Sequence, residues 1–195
     1  MRKTRKINRG FVLFLILLAA VAVYLVALDI SRESQKAEIK EICMEATDRF
    51  SQCIVIPPEL YVTAETYSES AFDQYINECY SKLAPLCSET NTARSMVRYA
   101  LESQANKGIY ITKFGKAAIQ NMNYSFNGDT ISVSISANLN YKNLYPDLTG
   151  VKESGTLMAY PYFSFKLKKE AGKWKLVAFD PDLSAYNDYY YGGFY

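Results

Sequence analysis

Residues Thr130-Ile131-Ser132-Val133-Ser134-Ile135-Ser136-Ala137-Asn138-Leu139-Asn140-Tyr141 alternate apolar and polar from end to end. In an extended chain Ile131, Val133, Ile135, Ala137, Leu139 and Tyr141 point one way, and the serines, asparagines and Thr130 point the other. A strand of this kind buries one face and wets the other, which requires an antiparallel sheet with something packed on one side only. Just before it, Asn127-Gly128-Asp129 makes a turn, because Asn-Gly readily takes positive φ. Residues 110–126 are therefore a candidate long strand folding back on the first. Downstream, residues 142–155 read as a polar loop with Pro146 and Gly150. Alternation resumes over 156–168, with Phe163, Phe165 and Leu167 on one face. Glu170-Ala171-Gly172-Lys173 turns the chain into a last strand, 174–179, and Asp180-Pro181-Asp182 ends the sheet. Asp180 and Asp182 have the spacing of a carboxylate pair, but beside Pro181 after a strand they read as turn residues.

Upstream of Gly108 the apolar period is 3.6 rather than 2. Residues 31–53 form a helix with Ile39, Ile42, Cys43, Ala46, Phe50 and Cys53 on one stripe, stopped by Pro57-Pro58. A second helix starts near Ser68 or Ser70, carries Phe72, Tyr75, Ile76, Cys79, Tyr80 and Leu83, and ends before Pro85. A third runs from about Asn91 to Asn106, with Ala93, Met96, Val97, Ala100 and Leu101 on one face and Gly108 as its stop. The fold class is thus α+β: an N-terminal transmembrane helix, then about three helices packed on a curved four-stranded antiparallel sheet.

The transmembrane helix is read from residues 11–28, eighteen apolar residues without interruption. At 1.5 Å per residue they span roughly 27 Å, close to the hydrocarbon thickness of a bilayer. Residues 1–10 carry Arg2, Lys3, Arg5, Lys6 and Arg9 and no acid, so the positive-inside bias leaves the N-terminus in the cytoplasm and residue 29 onward outside. A cleaved signal peptide is the rival, since Ala20-Val21-Ala22 fits a cleavage site, but the apolar run continues six residues past it. With the five head cations removed from the 22 Lys+Arg, the remaining 17 face 20 Asp+Glu. The basic balance therefore states orientation, not affinity for nucleic acid. The organisation expected is a cytoplasmic head at 1–10, a signal-anchor at 11–28, a membrane-proximal helix and linker at 29–66, an α+β domain at 67–183 with the first helix packed on it, and a Tyr/Gly-rich tail at 184–195. Without a histidine, the chain has no Ser-His-Asp triad, Cys-His dyad or imidazole-bound zinc. No cofactor is expected.

Four cysteines on an exported chain point to disulfides. Cys43 and Cys53 are separated by about 15 Å of helix and cannot bond each other. With the first two helices antiparallel, Cys53–Cys79 and Cys43–Cys87 form two nested rungs; Cys79–Cys87 across Pro85 is the next choice. A four-cysteine zinc site lacks its Cys-x-x-Cys knuckles, and small buried residues are the remaining reading.

Helices followed by a meander that closes on Gly172-Lys173-Trp174-Lys175-Leu176-Val177 resembles the nuclear-transport-factor-2-like (NTF2-like) superfamily over residues 39–182. There a curved sheet wraps its helices into a cone. With a cytoplasmic head and a single span, the chain also resembles the bitopic scaffold subunit of type IV secretion machines, and equally exported lipid- or ligand-binding domains. The single span, moderate size and lack of a catalytic constellation fit a non-catalytic interaction or scaffold domain with protein partners in the cell envelope. Its alternative is a module for a small apolar ligand or lipid, in which Tyr160, Tyr162 and Phe163 line the mouth of the cone. Ordinary sheet core with tyrosine hydroxyls reaching water is the competing account of those three. Lys166, Lys168, Lys169, Lys173 and Lys175 crowd one hairpin, where they guard a sheet edge or meet an anionic surface.

Overall fold

A computed structural model of the chain describes residues 9–61, 68–147 and 150–182, and the chain falls into two compact units, 1–40 and 41–195. The tail at 184–195, most of the basic head and part of the linker lie outside the described residues. Helix α1 (Arg9–Cys53) takes in both the apolar run and the amphipathic stretch after it. The first unit holds the apolar run. Its side chains stand bare: the large apolar residues from Phe11 to Val26 are 40–69% exposed, and this helix is long and apolar enough to cross a membrane.

In the second unit the last turns of α1 bury Cys43, Ala46, Phe50 and Cys53. Helix α2 (Glu69–Leu83) buries Phe72, Ile76, Cys79 and Leu83, and its first turn is capped by the Ser68 hydroxyl, which accepts from the Ala71 amide. Helix α3 (Ala93–Lys107) is opened by Asn91, whose side-chain oxygen accepts from Ala93 N at 3.0 Å. It closes on Gly108 at φ 63°, a left-handed position that a Cβ would strain. Arg98 binds Asp73 and Glu102, and Arg94 binds Asn77, so charged faces as well as apolar ones align α2 with α3.

Among the described residues the sheet has seven strands: β1 (Tyr110–Phe114), β2 (Ala118–Asn127), β3 (Thr130–Asp147), β4 (Gly150–Glu153), β5 (Leu157–Ala159), β6 (Tyr162–Glu170) and β7 (Lys173–Pro181). All pairings are antiparallel, and every strand but β7 pairs with β3. On one edge of β3, β1 and β2 run end to end, from Tyr110 opposite Leu144 to Asn127 opposite Thr130. On the other, β4, β5 and β6 do the same, from Gly150 opposite Asp147 to Lys168 opposite Thr130. Seven segments thus make four lines, which is the four-stranded curved antiparallel sheet expected. Breaks at Gly115 and Pro161, with register shifts at Ile111/Lys113, Ile119/Asn121 and Lys166/Leu167, let the sheet curl.

The strand that opened the reading behaves as its alternation requires: Ile131, Val133, Ile135, Ala137, Leu139 and Tyr141 are all buried. Two boundaries differ. Residues 142–155, read as a loop, hold the end of β3 and all of β4. The backbone keeps its ladder there, Leu144 pairing with both Tyr110 and Glu153, although the side-chain alternation has lapsed. Asp180 and Pro181, read as the exit turn, belong to β7, paired with Ser164 and Phe163.

Candidate functional site

The inward face of the sheet meets α1 through aromatic rings. Phe50 packs edge-on against Phe179 at 4.9 Å between centroids, and Phe179 lies 5.0 Å from Phe165 and 6.2 Å from Phe163. All four rings are buried. These rings pack as side-chain core between the sheet and α1. The three pocket candidates are not brought together. Phe163 is fully buried in that cluster, while Tyr160 and Tyr162 are 52% and 61% exposed on the opposite face. Tyr160 lies next to the exposed Met158, its hydroxyl 2.9 Å from the sulfur. Residues 160 and 162 share a parity that 163 does not, so the period of two already separated them.

An open groove of about 330 Å³ lies between the last turns of α1 and the β1–β2 break. Asp48, Ser51 and Gln52 form one wall; Phe114, Gly115 and Lys116 form the other. At Gly115 the backbones approach closely: its amide donates to the Asn140 carbonyl at 2.7 Å, and a Cβ would stand a tight 3.2 Å from that oxygen. Ser51 is buried and donates to the Thr47 carbonyl at 2.8 Å. A carboxylate, an ammonium group and an aromatic ring around one groove suit a small polar or zwitterionic group better than a lipid tail. The sequence reading missed this groove. Its only signal was the lapse of alternation at Gly115, and nothing marked Asp48 as facing it.

The cysteines are buried thiols. Cys53, the last residue of α1, and Cys79 of α2 lie against each other: Cys53 Sγ is 3.5 Å from the Cys79 carbonyl oxygen, and Cys79 Sγ is 3.6 Å from that of Cys53. The closeness of the two thiols pushes the pKa of Cys53 up, with burial adding to it, and lowers that of Cys79. The Tyr75 hydroxyl, 2.7 Å from Val55 O and 3.2 Å from Cys53 O, has its own pKa raised, chiefly by burial. Cys43 sits apart, its thiol pushed up to about 12 by burial. Cys87 is bridged to Leu176 of β7, and burial raises it to about 11 against the opposing charge of Lys175.

Two hydrogen-bond junctions, also missed, tie the helices to the sheet. Gln104 of α3 donates to Ile54 O at 2.9 Å and accepts from Ile111 N at 2.7 Å, tying the exit of α1 to β1. The Thr92 hydroxyl accepts from Phe179 N at 3.0 Å, tying the start of α3 to β7. Asn143 is the opposite case: its side chain is buried, and among the described residues neither its oxygen nor its nitrogen has a partner.

No family model matches the chain, and no curated protein does. Solved structures similar to it include an NTF2-like protein with a cystatin-like fold from Novosphingobium aromaticivorans. That one is 9% identical, with 83% of this chain and 93% of that one covered and a TM-score of 0.38. An NTF2-like protein of unknown function in nutrient uptake from Rhodospirillum rubrum is 12% identical, with 59% and 97% covered and a TM-score of 0.33. A proposed dehydratase of the NTF2-like family from Streptomyces avermitilis is 15% identical, with 57% and 88% covered and a TM-score of 0.34.

Proposed function

We propose that the chain is a single-pass membrane-anchored protein whose α+β domain lies outside the cytoplasm and acts by contact, as an interaction or scaffold domain, rather than by catalysis. The observation that carries the anchor is the bare apolar helix. Of its eighteen consecutive apolar residues, the first seventeen stand exposed, on every side of it. A helix apolar all round has no stable place in water and a natural one in a bilayer. Orientation follows from the five cations before the span, whose far end is marked by Asp29, Arg32 and Glu33. For action by contact, the support is the packed Phe50–Phe163–Phe165–Phe179 cluster in place of a reaction chamber, together with the exposed Met158, Tyr160 and Tyr162 on the outer face. Exposed tyrosines offer large contact area at little entropic cost, as protein-binding surfaces use them. The partners this reading calls for are proteins of the cell envelope.

A second reading is favoured by the groove at Asp48 and Lys116: a module for a small molecule, polar in place of the apolar ligand expected from the sequence. The first reading is tested by alkaline extraction and protease accessibility of the full chain in its own cells. The expected result is a chain that stays with the membrane at high pH and whose domain is digested only from the extracytoplasmic side. A chain recovered in the alkaline supernatant, or a domain digested only from the cytoplasmic side, would refute it.

A further inference from the structure

We propose that Cys53 and Cys79 are the two halves of a single disulfide joining the end of α1 to α2, and that Cys43 and Cys87 remain thiols. The pairing stands on geometry. Each sulfur lies within 3.6 Å of the other residue's carbonyl oxygen, a reciprocal arrangement that sets the two residues side by side. Disulfides need such neighbouring backbones. Contacts that do not involve sulfur fix the approach: Tyr75 bonds the carbonyls of Cys53 and Val55, and Arg49 of α1 bonds the Lys82 carbonyl at the end of α2. Those contacts hold the end of α1 beside α2 without any help from the sulfurs. The other two cysteines have no such neighbour among the described residues. Cys43 is ten residues back along α1, about 15 Å away in a helix, and Cys87 is held against β7. The link would close a loop of 25 residues, 54–78, that contains Pro57-Pro58. Such a bridge stabilises chiefly by restricting the unfolded chain.

The reaction is thiol–disulfide exchange with a disulfide donor, a thiol–disulfide oxidoreductase or a small-molecule disulfide. The thiolate of Cys79 attacks the donor's disulfide, forming a mixed disulfide and releasing one donor thiol. The thiolate of Cys53 then attacks the Cys79 sulfur and releases the second. Two protein thiols lose two protons and two electrons, and the donor disulfide gains them. Both sulfurs are wholly buried once the core has packed, so exchange precedes final packing. Formation of the bond in the cell rests on the extracytoplasmic reading; the choice of partners does not.

The two are separated by one experiment with two arms. The full-length chain, purified in detergent, is refolded in reduced and oxidised glutathione, alkylated in denaturant and digested without reduction. Residues 50–82 contain no internal Lys or Arg, so trypsin leaves both cysteines on one peptide. We expect that peptide unalkylated and two hydrogens lighter than its reduced form, and split by glutamyl endopeptidase into fragments still joined. Peptides holding Cys43 and Cys87 should be alkylated. The Cys53→Ser/Cys79→Ser variant should give no link, and reductant should lower the urea midpoint of the wild type but leave the variant unmoved. A link from Cys43 to Cys87, a link from Cys79 to Cys87, or four alkylated cysteines after refolding would overturn the pairing. The second arm repeats the digestion on chain taken directly from cells. Four alkylated cysteines there, beside the expected link after refolding, would overturn the extracytoplasmic reading and leave the pairing standing.

Discussion

Asn143 lies in the core with a side-chain amide that has no partner among the described residues. An unsatisfied buried amide costs about 1–3 kcal/mol, and an apolar group of similar shape does not. Asn143→Leu should therefore raise stability by about 1 kcal/mol or more in urea unfolding. A loss would mean that the amide is satisfied by water. Gln104 is the converse, a polar side chain whose two ends bridge Ile54 and Ile111. Gln104→Ala should cost about 2 kcal/mol, because it leaves the Ile111 amide unpaired. Neither residue was legible. Gln104 looks like any surface position of a helix, and Asn143 falls where alternation lapses, in a stretch that reads as loop. Residues whose role is burial were legible: Phe163 follows from its parity in β6, as Phe50 does from its place on the α1 stripe. Cys53 and Cys79 were paired by antiparallel arithmetic, and the structure lays these two together while holding Cys43 and Cys87 in different surroundings.

Among the elements, the helices and the four lines of the sheet could be read because period 3.6 gives way to period 2 at Gly108. A break within 110–126 was open to a sequence reading, but its place, and the split of the other line at Pro161, were not. Breaks at Gly115 and Pro161 are set by how the curled sheet closes on β3, and a local pattern does not carry that. The β3–β4 hairpin lies in the stretch misread as loop, where Lys142 binds Glu153 at 3.3 Å and Thr112 donates to the same carboxylate at 3.1 Å. Those hydrogen bonds, Lys142 first, hold Glu153 below the ordinary carboxylate range. A depressed folded pKa adds stability above the ordinary range and loses it as pH falls through the folded value. The pair is exposed, so the visible effect should be on titration: in Lys142→Ala, the Glu153 carboxyl followed by NMR should move back up toward the ordinary range. Helix α1 has its own test. Leu17→Arg with Val21→Arg raises the cost of insertion by about 6 kcal/mol on the translocon scale, and should shift the full chain from the alkali-resistant pellet to the supernatant.

Taken whole, the 41–195 unit is assembled on one strand: every other strand except β7 pairs with β3, and β7 joins through β6. Thiols at Cys43 and Cys87 report on that assembly. Both are buried, and with pKa values pushed up to about 12 and about 11 they stay protonated at pH 8. Only thiolate is nucleophilic. Iodoacetamide should thus leave both unmodified in the native chain and label them at the rate of global opening, a rate that rises in Gln104→Ala. The dominance of β3 also orders events during synthesis. Residues 41–107 leave the ribosome first, with the apolar stripes of all three helices formed or forming. The sheet cannot cover those stripes until β3 has followed, because each early strand registers against it. For about forty residues of elongation the nascent chain presents bare helical faces, at a rate of some 5–20 residues per second. During those seconds the disulfide proposed between Cys53 and Cys79 would keep the first two helices side by side until their sheet arrives.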